Sequence, residues 1–417
     1  MNIAIIGSGI SGVYAAHYLS KQHQVTLFEA NAYLGGHTDT HNIVLDEQQY
    51  AVDTGFIVFN EHNYIHFCQF LRDLGVASQA SDMSFSVMDV QSGLEYNATT
   101  LDKLFCQWRN LLKPSFISMV KGIMRFYREA PALLDSEDDS LTLGDYLQQQ
   151  NYGRAFIEDH ILPMGCALWS GPSDILKQFP VRYFVKFMDN HQMLNINNRP
   201  EWRTVVGGSA TYMQAFQRQF KGQFKGQLRL NCPVKAVSRT AEGVLVKTAD
   251  ELMSFDRVVF ACHSDQALRL LDDPSDSEVE ILGAMTYQEN EVVLHTDTRL
   301  MPRHPKAWAS WNALKLSENQ SRCTVTYYMN LLQNLTAPEP LLVTLNCTEL
   351  INPEKILQTR LYHHPVYTVA SLAAQKRRAE INGENFTYYA GAYWGWGFHE
   401  DGAKSAQEVV DLFRMPT

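Results

Sequence analysis

Apolar and polar positions along this chain fall into blocks that switch between a strand-like and a helix-like period. Ile3-Ala4-Ile5-Ile6 reads as a hydrophobic strand; a glycine turn and a helix follow, and a second strand ends at Glu29. After Gly36 comes a loop, then Asp53-Thr54-Gly55-Phe56-Ile57-Val58, then a helix over about 62–74 with apolar residues at helical spacing. Ser84-Phe85-Ser86-Val87 and Leu94-Glu95-Tyr96 alternate like strands around a turn at Gln91-Ser92-Gly93. A helical region spans about 101–190, with breaks expected at Pro114, Pro131, Pro163 and Pro172. Residues 228–237 read as one strand and 244–248 as another. The run 257–262 is continuously apolar, as a strand buried on both faces requires. Further strands are expected at 291–296, 323–329, 341–347 and 386–391, and the chain ends in a helix.

The turn after the first strand is Gly7-Ser8-Gly9-Ile10-Ser11-Gly12. Gly7 permits the tight exit from the strand, Gly9 lets the backbone approach a pyrophosphate, and Gly12 lets the helix pack close to the sheet, with Ser11 between them. The helix N-terminus then faces the phosphates. Glu29 follows Gly12 by seventeen residues. It closes the second strand beside Ala30, where a carboxylate accepts hydrogen bonds from ribose hydroxyls and repels a 2′-phosphate. Strand before, helix after and acid at that distance together point to a dinucleotide other than NADP.

At 417 residues the chain suits two domains rather than one core, and 45% hydrophobic with 19% charged residues is an ordinary globular balance. The pattern divides into a dinucleotide-binding domain over 1–78, 205–283 and 365–417 and a substrate-binding domain over 79–204 and 284–364. A net charge of −10 argues against nucleic acid as a partner. Seven scattered cysteines without a CxxC suggest neither a disulfide framework nor a zinc site, and no metal is expected. They fit a reducing compartment. The first strand begins at Asn2, leaving no room for a cleaved leader, and no apolar run approaches the length of a membrane span. A cytoplasmic location is expected.

Glu29-x5-Gly35-Gly36 and the C-terminal stretch Tyr389-Ala390-Gly391-Ala392-Tyr393-Trp394-Gly395-Trp396-Gly397-Phe398-His399-Glu400-Asp401-Gly402 carry a resemblance. The first resembles the FAD-binding fingerprint of the flavin amine oxidase and phytoene desaturase superfamily, and the second its closing motif. The phrases Gly35-Gly36-His37, Leu294-His295-Thr296-Asp297 and Gly397-Phe398-His399-Glu400-Asp401-Gly402 look closer still to a bacterial subgroup labelled only as NAD/FAD-binding or amine-oxidase-like. The resemblance implies an α/β fold: a Rossmann-like FAD-binding domain of glutathione-reductase type, interleaved with an α+β substrate domain built on a mixed sheet and helices. It implies FAD as cofactor and hydride acceptance at flavin N5. It also implies that the last helix points its N-terminus at the flavin pyrimidine, where backbone N–H groups stabilise the charge that develops on reduction. Cofactor contacts are expected from Gly7, Gly9, Ser11, Gly12, Glu29, Ala30, Gly35, Gly36, His37, Thr54, Gly55, Phe56, Val234, Gly391, Phe398, His399, Glu400 and Asp401.

Two departures from better-known members stand out. His37 occupies the place of a frequent arginine. The lysine with which amine oxidases hold a water over N5 has no counterpart in 284–297, although Lys306 and Lys315 follow. Catalytic candidates are Tyr393 and Trp394, as cavity walls, and His295. The spacing of His295, Asp297, His363 and His364 is not that of a metal helix. Residues 103–128 hold six basic residues and no acid among many apolar ones. This composition suits the interface of an anionic bilayer, so a peripheral site on the inner membrane face and a small lipophilic substrate are expected. The leading expectation is carbon–carbon dehydrogenation or desaturation of a lipid or isoprenoid chain. Oxidation of a C–N bond is the alternative. A non-redox mutase, which would use paired arginines such as Arg199 and Arg203, or a lipid-binding protein is the alternative of another class.

Overall fold

Asn2–Ile6 is the middle strand of a five-stranded sheet in which every pairing is parallel. Gln24–Phe28 and Arg257–Phe260 flank it, and Gln227–Arg229 and Thr387–Tyr389 form the edges. Period-two alternation assigns its side chains to two layers. Ile3 and Ile5 join a helical layer that includes Val13, Phe67, Phe216 and Val409. Ala4 and Ile6 face Val237, Val246 and Phe260 beneath a three-stranded antiparallel sheet, Ala236–Arg239, Val244–Lys247 and Leu252–Phe255. The sheet thus has cover on both faces, as parallel sheets require. This computed structural model describes residues 1–195, 200–224, 226–316 and 324–414.

A second, seven-stranded sheet takes its strands in the order Ile356–Val366, Thr286–His295, Leu342–Leu345, Thr324–Tyr328, Trp311–Lys315, Phe85–Asp89, Leu94–Asn97. Only the pairing of Trp311–Lys315 with Phe85–Asp89 is parallel. Helices from Pro114–Glu129 to Val181–Asn190 cover part of this sheet through Phe126, Phe156, Phe184 and Val325.

The structure corrects several sequence expectations. The stretch 228–237 is not one strand. Asn231 adopts φ 49° and Pro233 offers no N–H, so the chain leaves the parallel sheet after Arg229 and enters the antiparallel one at Ala236. The stretch after Gly36 contains a hairpin, Thr40–Leu45 with Gln48–Asp53, turned on Asp46 and Glu47, both at positive φ. Trp311–Lys315 and the edge strand Ile356–Val366 were not expected, and the Cys323 end of an expected strand lies outside the described residues.

Among the four prolines expected to break helices, Pro114 does so by opening Pro114–Glu129 after the turn Trp108–Leu112, whereas Pro163 sits one residue into Leu162–Trp169. Ahead of Pro163 the backbone widens into a π-turn over Ile157–Ile161. Within that widened turn the Asp159 carbonyl accepts the Tyr96 hydroxyl at 2.7 Å.

Candidate functional site

A cavity of about 820 Å³ runs from the opening glycine turn to the seven-stranded sheet, toward the upper end of the roughly 300–1,000 Å³ range of small-molecule sites. At one end the chain turns at Gly7, whose φ of 100° and whose separation of 2.9 Å between a built Cβ and the Ala261 carbonyl exclude any side chain. A Cβ on Gly12 would lie 1.9 Å from the Gly7 carbonyl, so the helix Ile10–Leu19 starts this close to the strand only with glycine there. Gly9 differs: a Cβ there meets nothing within 4 Å, because it points into the cavity.

Glu29 is buried beside this turn. Its Oε2 accepts the Ser8 backbone N–H at 3.1 Å and the Ser8 hydroxyl at 2.5 Å, and its Oε1 accepts Asn31 N–H at 2.8 Å. Ser8 Oγ in turn accepts the Gly35 N–H at 3.3 Å, tying the two glycine segments together. Sequence reasoning missed Ser8, because it occupies a position the glycine motif leaves free.

The closing helix His399–Leu412 brings its N-terminus to the same cavity. It crosses Ile10–Leu19 at Gly402, where the Ser11 hydroxyl donates to the Gly402 carbonyl at 3.0 Å. The His399 ring stacks on Phe56 at 3.6 Å with planes 7° apart, and its Nε2 lies 2.8 Å from the Tyr212 hydroxyl. Burial drives that imidazole well below its ordinary pKa, so it stays neutral.

Of the residues expected to hold a cofactor, Gly7, Gly9, Ser11, Glu29, Ala30, Gly35, Gly36, His37, Thr54, Gly55, Phe56, Val234, Gly391, Phe398 and His399 all line the cavity. Gly12, Glu400 and Asp401 do not. Glu400 caps the neighbouring helix Ile65–Leu74 through His66 and Phe67 N–H, at 3.0 Å each. Asp401 accepts Phe398 N–H at 2.9 Å and so caps its own helix; burial pushes its carboxyl up to about 7. The catalytic candidates also separate. Tyr393 lines the cavity, whereas Trp394 lies under the Arg378 guanidinium at 5.3 Å. His295 is interior to the sheet, 2.7 Å from Thr344 Oγ1 and accepting Asp297 N–H at 3.0 Å.

Several imidazoles converge that the chain presents far apart. The His37 ring centre lies 6.1 Å from that of His263 and 5.4 Å from that of His364, with Tyr362 at 5.1 Å. Burial lowers His37 and His263 to about 4 and His364 to about 3. His263 had no sequence signal, because it follows a strand that reads as structural.

The far part of the cavity is apolar and aromatic. Phe187 stacks on Phe398 at 4.9 Å, Trp169 meets Phe187 edge-on at 4.9 Å, and Trp311 packs on Tyr327 at 5.2 Å, with Trp396 closing the side. Among the described residues the one carboxylate lining the cavity is Glu29, and no lysine lines it. Lys306 and Lys315 are engaged elsewhere, by Asp102 at 2.9 Å and by Asp159 at 2.9 Å. Arg203 bonds Ser78 and Glu201, and Arg199 lies outside the described residues.

The donor set fits a large planar heterocycle joined to a diphosphate. His37 Nε2 and the indole N–H groups of Trp311 and Trp396 are buried on residues that line the cavity, with no protein partner among the described residues. The glycine end offers backbone N–H groups and an open Gly9 face.

The sequence model of the family described as flavin containing amine oxidoreductase matches residues 10–345. An L-amino-acid oxidase from Siganus canaliculatus is 22% identical over 310 residues, covering 71% of this chain. This chain spans only 56% of that relative's length. Among solved structures, a CLA-producing fatty acid isomerase from P. acnes superposes with a TM-score of 0.71 at 16% identity, covering 99% of this chain and 98% of its own. Cyclohexylamine oxidase from Brevibacterium oxydans IH-35A gives 0.68 at 15% identity, covering 99% of each chain. At such identities the likeness is one of fold.

Proposed function

The chain belongs to the family of flavin-containing amine oxidoreductases, FAD-dependent as a class, and on that premise we propose that it dehydrogenates a carbon–carbon bond of a lipid or isoprenoid chain. The observation that carries this reading is the lining of the cavity. Its aromatic arm has no carboxylate to receive an ammonium group, since Glu29, the one carboxylate lining the cavity among the described residues, stands at the glycine-turn end beside Ser8. Among the described residues no lysine lines the cavity to hold a water as the amine oxidases do.

When bound, FAD supplies the hydride acceptor. The chain's own residues do the rest. The turn 7–12 and the positive end of Ile10–Leu19 receive the diphosphate, and Glu29 receives ribose hydroxyls. The N-terminus of His399–Leu412 favours negative charge on the ring system. Trp169, Phe187, Trp311, Trp396 and Phe398 exclude water and hold an apolar chain by contact alone. As the hydride leaves one carbon its neighbour must lose a proton, and the neutral imidazoles of His37, His263 and His364, which line the cavity, are the acceptors the chain offers. A fatty acid isomerase of the same fold supports an apolar substrate.

Anaerobic mixing tests the proposal. Phospholipid, free fatty acid or isoprenoid should bleach the flavin absorbance of the holoenzyme, and polyamine should not. Bleaching by an amine alone would assign the C–N alternative. No bleaching by either class would return the chain to the non-redox alternatives.

A further inference from the structure

We propose that the segment from Leu101 to Lys113 is a docking surface for an anionic lipid bilayer. Its polarity is inverted relative to an ordinary surface helix. Two uncharged polar side chains, Gln107 and Asn110, point inward. Asn110 is fully buried and donates to the Glu95 carbonyl at 3.4 Å and to Gln107 Oε1 at 3.1 Å. Gln107 accepts Glu95 N–H at 3.1 Å and donates to the Gly93 carbonyl at 3.1 Å. Leu104 and Phe105 pack inward, but four large apolar side chains point outward: Leu101 is 75% exposed, Trp108 64%, Leu111 52% and Leu112 75%.

The turn Trp108–Leu112 is thereby pinned to the strand Leu94–Asn97 through Gln107 and Asn110, and with the turn Leu101–Leu104 before it leaves four large hydrophobes in water. The arrangement is rigid where it touches the protein. Contiguous exposed apolar groups of this kind mark an interaction site.

Charge identifies the occupant. Lys103, Arg109 and Lys113 stand among the exposed hydrophobes, and Lys121 is exposed on the helix that follows, in a chain of net charge −10. The acid in the segment, Asp102, is bound by Lys306 at 2.9 Å. The Arg109 guanidinium lies 5.7 Å from the Trp108 ring centre, so cation and indole share one level. Tryptophan and leucine in the acyl boundary with lysine and arginine at the phosphates is the pattern of interfacial binding to anionic lipid. A second copy meeting this patch with its own would oppose like charges.

The structure also narrows the basic stretch. Arg125 and Arg128 are paired with Glu129, and Pro114–Glu129 buries Phe116, Met119 and Phe126 in the core. Docking is assigned to 101–113, not to the whole of 103–128.

Flotation of the holoenzyme with vesicles tests this. Vesicles of phosphatidylcholine with phosphatidylglycerol should carry the protein, and phosphatidylcholine alone should not. Joint replacement Lys103→Glu, Arg109→Glu and Lys113→Glu, or the pair Leu111→Ser and Leu112→Ser, should each weaken partitioning at least tenfold with no change in melting temperature, since these side chains support no core. The proposal is overturned if wild type fails to float with anionic vesicles, or if it floats equally after both sets of substitutions. It is also overturned if wild type elutes as a dimer that the leucine pair dissolves, which would make a second copy the occupant.

Discussion

Ser11 and Gly402 stand 391 positions apart, yet the Ser11 hydroxyl donates to the Gly402 carbonyl at 3.0 Å, and a Cβ on Gly402 would lie 2.6 Å from Ile10 Cγ2. The two helices that end on the cavity are locked at this crossing. Gly402→Val should force them apart and cost about 1–3 kcal/mol, as overpacking does. Thermal unfolding checks the loss, and the flavin absorbance of the purified protein should fall with it.

Gly7 and Gly9 should respond oppositely to alanine. Gly7→Ala meets a positive φ and the Ala261 carbonyl at 2.9 Å, so it should lower the melting temperature of the flavin-free protein. Gly9→Ala should leave that temperature unchanged, since its Cβ enters open space, and weaken FAD binding at least tenfold in fluorescence titration. Equal effects at both positions would remove the cradle assignment.

Tyr96 donates its hydroxyl to the Asp159 carbonyl inside the widened turn. Tyr96→Phe should destabilise the fold by about 1–3 kcal/mol, the cost of an unpaired buried acceptor. Chemical denaturation of the variant beside the wild type reads the loss.

Acid should unfold this protein early. Burial lowers His17, His37, His191, His263 and His295 to about 4 and His364 to about 3. Each folded value lies below the ordinary 6.5, so the unfolded chain binds the protons and stability falls as pH drops from about 6.5 towards 4. Asp53 and Asp401 act oppositely, because burial raises them to about 6 and about 7, and the folded state takes up their protons. With His23 and His399 also lowered by burial, the imidazoles outnumber the two carboxyls and leave a net loss. Melting temperatures between pH 7 and pH 4.5 should decline steadily, and His37→Gln with His364→Gln should flatten the slope.

The cofactor end was legible because its chemistry is local. A glycine turn, an acid at a set distance and a glycine-aromatic loop each announce themselves within a few residues. The middle strands of the parallel sheet were legible for a related reason, since burial on both faces leaves an unbroken apolar run. What stayed hidden depends on tertiary partners. Ile356–Val366 is an edge strand with most side chains only partly covered, so neither alternation nor an apolar run marks it. His263 and His364 meet His37 only because separate sheets bring them there. Pro163 misled because the backbone widens over Ile157–Ile161 just ahead of it, an irregularity that apolar spacing does not mark.

The wall formed by Gly391, Phe398 and His399 joins a cradle begun at Gly7, with more than nine-tenths of the chain between them. A nascent polypeptide therefore displays its glycine turn long before it has anything to close over a ligand. Flavin capture is a late event in biogenesis, and a bound flavin reports that both halves of the fold have come together.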